Sequence, residues 1–245
     1  MLKQKHYFNI KNGFTLVELT IVLVIVSLLM GGMLVSLGTQ RDVTDTSETQ
    51  KRLSEMRDAL IGFTVANGRL PCPATPGTTG IENPSTGVGP CNNPYDGFLP
   101  GITLGIGPLD GQGYAVDSWG NRIRYAVTEA NAFAFTTTNG IKTNWAGGLL
   151  PNLIICNTSV GISATSCPAA SQLSTNAVAL ILSYGKNGPS GQHGDDELAN
   201  TNPDRVFVSH TQSPSGAAQG EFDDVITWIS PNILFNRMIS AGRLP

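Results

Sequence analysis

Glu18 is the only ionisable side chain between Phe14 and Leu37, in a run that is otherwise almost wholly apolar. A carboxylate at membrane depth costs about 2.5–3.5 kcal/mol on insertion scales, so its chemistry there is ion pairing, and a cation has to be brought to it. Far along the chain, the Gly-rich loop Ser183–Glu197 ends in Asp195, Asp196 and Glu197 and carries Asn187. Carboxylates, an amide oxygen and exposed backbone carbonyls are the donors a hard cation takes, Ca2+ wanting about six to eight oxygens. The pattern is not that of an EF-hand, and the same acids also suit a plain solvated loop. Cys72, Cys91, Cys156 and Cys167 could close disulfides in an oxidising compartment. Of the three possible pairings, Cys72–Cys91 with Cys156–Cys167 closes two short, flexible loops, each bridge contributing about 3 kcal/mol by the chain-entropy model. Zinc is disfavoured, because no pair has C-x-x-C spacing and His193 and His210 are not in a close ligand register.

Catalytic patterns are missing from the sequence. It has no G-x-S-x-G, H-E-x-x-H or Walker loop, and Gly105-Ile106-Gly107 lies in a Pro-rich connector without the helix that phosphate binding needs. Asp223-Asp224 is set aside as an acid–base pair, because adjacent strand residues point to opposite faces. Nucleic-acid binding is disfavoured by charge. Without residues 1–13 and their three lysines, basic residues fall from 15 to 12 against 18 acids, a formal charge of −6.

The elements that must carry these residues follow from periodicity. Lys3, Lys5 and Lys11 precede the apolar run with no acid among them, which orients the amino end toward the cytoplasm. Beyond Gly38 the composition turns polar, yet Leu53, Met56, Leu60 and Phe63 recur at helical steps, so one helix is expected from Phe14 to about Asn67, ended by Gly68 and Pro71. Residues 69–116 read as an ordered connector. Strands are expected at Arg122–Thr128, Ala132–Thr137, Asn152–Cys156, Val178–Tyr184, Arg205–His210 and Val225–Ile229. Ser230-Pro231 opens a terminal helix through Ile239, stopped at Gly242. Gly-Arg-Leu-Pro occurs at 68–71 and again at 242–245, each time after a helix, which points to shared capping chemistry. The expected class is α+β, an antiparallel sheet laid against a long helix.

Three readings compete for the amino terminus. A secretory signal peptide needs a short apolar core and a small-residue cleavage site, and Met30-Gly31-Gly32-Met33 does not supply one. A plain membrane anchor fits the length but leaves Glu18 unexplained. Residues 11–34, Lys-Asn-Gly-Phe-Thr-Leu-Val-Glu-Leu-Thr-Ile-Val-Leu-Val-Ile-Val-Ser-Leu-Leu-Met-Gly-Gly-Met-Leu, resemble the amino-terminal signature of type IV prepilins. The resemblance implies the type IV pilin fold, cleavage between Gly13 and Phe14 by a membrane prepilin peptidase, and N-methylation of Phe14. It implies that Glu18 neutralises the Phe14 amine of a neighbouring subunit as helices stack in a filament core.

The implied organisation is a cleaved cytoplasmic leader at 1–13, a transmembrane and filament-core helix at 14–38, the periplasmic half of that helix at 39–68, and a globular head at 69–245. Asp117-Ser118-Trp119-Gly120-Asn121 with Arg122-Ile123-Arg124-Tyr125 partly resembles the D-P-W-G-N-P-Y-x-Y segment of type II secretion major pseudopilins, Ser118 replacing the Pro. As residues alone, these make a capped turn beside the sheet. The loop 183–197 resembles the one that carries calcium in the same pseudopilins. Taken together the resemblance implies a minor pilin or pseudopilin of a pilus or type II secretion pseudopilus. Its partners would be other pilin subunits, the prepilin peptidase and an inner-membrane assembly platform. A filament-tip ligand-binding adhesin and a competence pseudopilin are the alternatives.

Overall fold

The computed structural model describes residues 13–87, 89–191, 194–217 and 219–245, apart from the side chains of 32–39. The chain divides into two compact units at Thr44/Asp45. The first holds the amino-terminal part of helix α1, Leu16–Asn67. Its apolar side chains from Leu16 to Met30 are exposed. Among the described residues no helix is long and apolar enough to cross a membrane. Within the apolar run the described side chains end at Met30, whereas the run in the sequence continues to Leu37.

The second unit is built on the rest of α1. Thr49, Leu53, Met56, Leu60 and Thr64 recur at steps of three and four and are fully or almost fully buried, so one stripe of the helix faces the core while Lys51, Glu55 and Asp58 stay in water. Thr64 is tolerable there because its hydroxyl donates to the Leu60 carbonyl at 2.7 Å. Gly68 ends the helix at φ +69°, a conformation that costs a residue with a Cβ.

The first sheet has the order β1-β2-β5-β7: β1 Gly97–Phe98, β2 Arg124–Val127, β5 Ala179–Ser183 and β7 Val225–Ile229, all pairs antiparallel. The second has the order β4-β3-β6: β3 Leu153–Cys156, β4 Gln172–Ala177 and β6 Val206–Val208. Here β3 pairs antiparallel with β4 and parallel with β6. The centre of the fold is β5. Ala179 and Ile181 belong to the cluster that contains Leu53, Met56 and Leu60, whereas Leu180 and Leu182 belong to a cluster with Leu153, Ile155 and Phe207. Helix, first sheet and second sheet are therefore three layers. This is why β5 reads as a continuous apolar run rather than an alternation.

Short helices α2 (Gly101–Leu104), α3 (Ala130–Phe133) and α4 (Gly140–Thr143) lie in the connections, and α5 (Asp195–Ala199) and α6 (Pro231–Ser240) follow. As the capping pattern predicts, the Ser230 hydroxyl accepts from the Ile233 amide. The expected strand at Ala132–Thr137 is instead the irregular end of α3, where Asn131, Ala132 and Phe133 have positive φ, and the turn that follows it. Its apolar residues plug the core as a knob: Phe135 is fully buried and its carbonyl accepts from the Leu70 amide at 2.7 Å.

Both local disulfides are present, Cys72–Cys91 and Cys156–Cys167, with Cα atoms 5.3 and 6.5 Å apart. Beside the first, buried Arg69 grips Glu82 through two 2.7 Å bonds, and Glu82 also accepts from the Cys72 amide. The second Gly-Arg-Leu-Pro repeats the first in part. Gly242 has φ +67°, and Leu70 and Leu244 enter the same core cluster. The arginines diverge, because Arg243 turns back to donate to the carbonyls of Val65 at 2.6 Å and of Ala66, in the last turn of α1.

Candidate functional site

Two places in the chain have an arrangement that calls for a partner. The first is the start of α1. Thr15 precedes the first helical residue, its hydroxyl accepts from the Glu18 amide at 3.3 Å, and Glu18 accepts from the Thr15 amide and hydroxyl at 2.9 Å each. This is a capping box, Thr-x-x-Glu, in which two otherwise orphaned donors are satisfied reciprocally. The sequence reading gave Glu18 a pairing role and missed the cap, although Thr15-Leu16-Val17-Glu18 has the required spacing. Further along, Thr20 donates to the Val17 carbonyl and Ser27 to the Leu23 carbonyl, so these hydroxyls are satisfied on the helix itself. An exposed apolar surface on a helix like this asks for lipid or other helices to cover it.

The second is a carboxylate cluster in the second unit. Glu197 on α5, with Asp223 and Asp224 just ahead of β7, each place an oxygen within 4.8 Å of the others. Glu197 is fully buried and Asp224 nearly so. The loop after β5 closes the group: Asn187 donates its amide N–H to Asp223 Oδ2 at 3.1 Å and its side-chain nitrogen to Glu197 at 3.2 Å. Glu197 Oε1 accepts from the Asp223 amide at 2.7 Å, and Asp224 Oδ2 from Asn200 at 2.7 Å. Left over are Asp223 Oδ1, Asp224 Oδ1 and Asn187 Oδ1, all buried and without a hydrogen-bond partner. Three orphaned acceptors on residues gathered around one acidic cluster are expensive unless protons or a cation satisfy them. The donor set is all oxygen, which suits Ca2+ or another hard cation and does not suit zinc.

Of the residues singled out in the loop, Asn187 and Glu197 are brought together. Asp195 is exposed. Asp196 is buried elsewhere: its Oδ1 accepts from the Ser159 amide and the Thr158 hydroxyl inside the second disulfide loop, and its Oδ2 lies 3.1 Å from His210 Nε2. His193 lies outside the described residues. The remaining two members, Asp223 and Asp224, are the pair that strand alternation had separated. They sit on irregular backbone before Val225, where the period of two does not apply. Their only local signal is a doublet of acids at the mouth of an apolar strand.

Burial pushes Asp223 up to about 6 against its ordinary 3.8, with the Glu197 charge adding to the rise. Burial likewise raises Asp224 well above its ordinary 3.8, opposed by the Asn200 hydrogen bond and helped by Glu197 and Asp223. An acid whose folded pKa is raised holds its proton more tightly when folded. It stabilises the fold fully below its unfolded value and loses that contribution as pH rises through the folded one. The window here runs from 3.8 to about 6 for Asp223, and Asp224 acts in the same direction. In chelator, the protein is therefore expected to melt at a higher temperature at about pH 5 than at about pH 7.5, against the usual trend of acid destabilisation. A melting temperature that falls on acidification across that range would show the cluster is not carrying unmet charge.

Comparisons with known proteins bear on the amino terminus. Curated proteins and solved structures give no match to the chain. Residues 9–34 match the family model of the prokaryotic N-terminal methylation motif, so the segment that begins α1 is a type IV pilin-like prepilin signal.

Proposed function

We propose that this protein is a minor pilin or pseudopilin, a structural subunit that is processed at Gly13-Phe14, held in the inner membrane by residues 14–38, and assembled through α1 into a filament. The observation that carries the reading is the methylation motif at 9–34, set at the start of a helix whose later half packs on an antiparallel sheet. In this reading residues 1–13 are the cytoplasmic leader, 39–68 the periplasmic half of the helix and 69–245 the head. Two disulfides and the carboxylate cluster suit an oxidising, calcium-containing compartment. The prepilin peptidase, sister subunits and an assembly platform are the partners that such processing requires. The irregular, loop-rich head favours a specialised position over an abundant repeating one. Asn187, Glu197, Asp223 and Asp224 would hold Ca2+, which supplies positive charge where the fold has buried negative charge. Mass spectrometry of the protein from cells with the peptidase is expected to show N-methyl-Phe14 as the first residue. An amino terminus anywhere beyond Leu37 would overturn the reading.

A further inference from the structure

We propose that the turn Asp117–Asn121 is a strut that transmits cation occupancy from the carboxylate cluster to helix α1. This rests on the calcium reading above. One end of the turn is fixed to the helix. The Ser118 amide donates to the buried Thr49 hydroxyl at 3.2 Å, and Arg52 donates to the Asp117 carbonyl at 2.8 Å. The turn is closed on itself, because Asp117 Oδ1 accepts from the amides of Trp119 and Asn121 at 2.9 and 2.8 Å. The other end is fixed to the loop after β5. Asp117 Oδ2 accepts from the Ser183 hydroxyl at 2.6 Å, Ser183 Oγ accepts from the Gly185 amide, and Asn121 donates its side-chain amide to the Gly185 carbonyl at 2.7 Å. Asn187, two residues on, is bonded to Asp223 and Glu197.

The loop passes close to both the cluster and the turn. A Cβ on Gly185 would stand 2.4 Å from Asp223 Oδ1, and one on Gly188 would stand 2.9 Å from Asn121 Oδ1. Both residues have positive φ, so the chain passes this gap only as glycine. Asp117 and Ser183 are buried, so water does not replace their hydrogen bond when the loop shifts. A displacement of Asp223 toward a bound ion therefore has to move residues 185–188 against Asn121, and the turn against Thr49 and Arg52. Coupling of this kind is reciprocal: what the ion does to the helix, the helix does to ion affinity.

Hydrogen exchange of the full chain in detergent tests the strut, with millimolar Ca2+ and with chelator. Amides of α6 serve as the reference for general stabilisation, since α6 shares the core but makes no bond to the turn. In the wild type, Ca2+ is expected to slow exchange at 45–58 about tenfold more than at α6, within the usual range of coupling between sites. Thr49→Val/Arg52→Met keeps the shape of Thr49 and the apolar stem of Arg52 and cuts both bonds to the turn. In it the excess slowing is expected to vanish while slowing at 183–188 persists, and Ca2+ affinity is expected to fall by the same factor. The strut is overturned if Ca2+ binds the wild type and the excess is confined to 183–188 and 223–224, or if the double variant keeps the excess in α1. Absence of any Ca2+ binding to the wild type would overturn the calcium reading and the strut together. Should the double variant fail to fold, the wild-type comparison alone decides.

Discussion

A chain carrying Glu18→Ala or Glu18→Val is expected to insert in the membrane at least as well as the wild type and to be lost from the filament. Insertion improves because a carboxylate worth about 2.5–3.5 kcal/mol against transfer is gone. Assembly is expected to fail because, in the proposed filament, the Phe14 ammonium of the neighbouring subunit would lie uncompensated in low dielectric, and breaking a buried pair costs about 3–5 kcal/mol, more than a hundredfold in the contact. The capping box complicates these two variants, since the lost cap destabilises the first turn of α1 by about 1 kcal/mol. Glu18→Gln separates the causes: Gln can complete the same box, so the helix start survives while the charge does not. Immunoblots of sheared filaments against membrane fractions read the result. Normal assembly of Glu18→Gln would show that the cap, not the charge, is what the filament needs.

The second large effect is thermal. Millimolar Ca2+ is expected to raise the melting temperature of the full chain in proportion to the logarithm of its excess over the dissociation constant. At a hundredfold excess that is about 2.7 kcal/mol, which for a domain of this size is roughly 5–10 °C. Chelator should reverse it. Asp223→Asn or Asp224→Asn should abolish the gain and also raise the melting temperature in chelator, because each removes one buried negative charge from the corner it shares with Glu197. Asp195→Ala should change nothing, since Asp195 is exposed. Identical melts in Ca2+ and chelator would reduce the corner to three carboxyls sharing protons.

Features governed by local pattern were legible in the sequence. The buried stripe of α1 follows from steps of three and four, β7 occupies the expected Val225–Ile229, and Ser230-Pro231 opens α6 as its capping chemistry requires. The polar strand β4, Gln172–Ala177, was not legible, because its mostly exposed side chains carry no apolar alternation and its place is set by pairing with β3. The turn at 131–137 misled for the opposite reason, its apolar residues being buried by tertiary packing rather than by strand geometry. The cation corner was half legible. Asn187 and Glu197 lie in the Gly-rich loop, whereas Asp223 and Asp224 are delivered by the antiparallel return of β7 beside β5, which only the sheet order reveals.

The grip of Arg243 on Val65 and Ala66 spans up to 178 residues of chain, and α6 and Leu244 enter the same core as Leu53, Met56 and Leu60. At about 5–20 residues per second, synthesis reaches Arg243 roughly 10–40 s after Val65. For most of that interval the apolar stripe of α1 lacks β5, β7 and α6, three of the elements that share its core. Partners far apart in sequence thus complete the core of the head, a topology whose loop-closure entropy is met before its contacts form and which therefore folds more slowly than one built from local contacts.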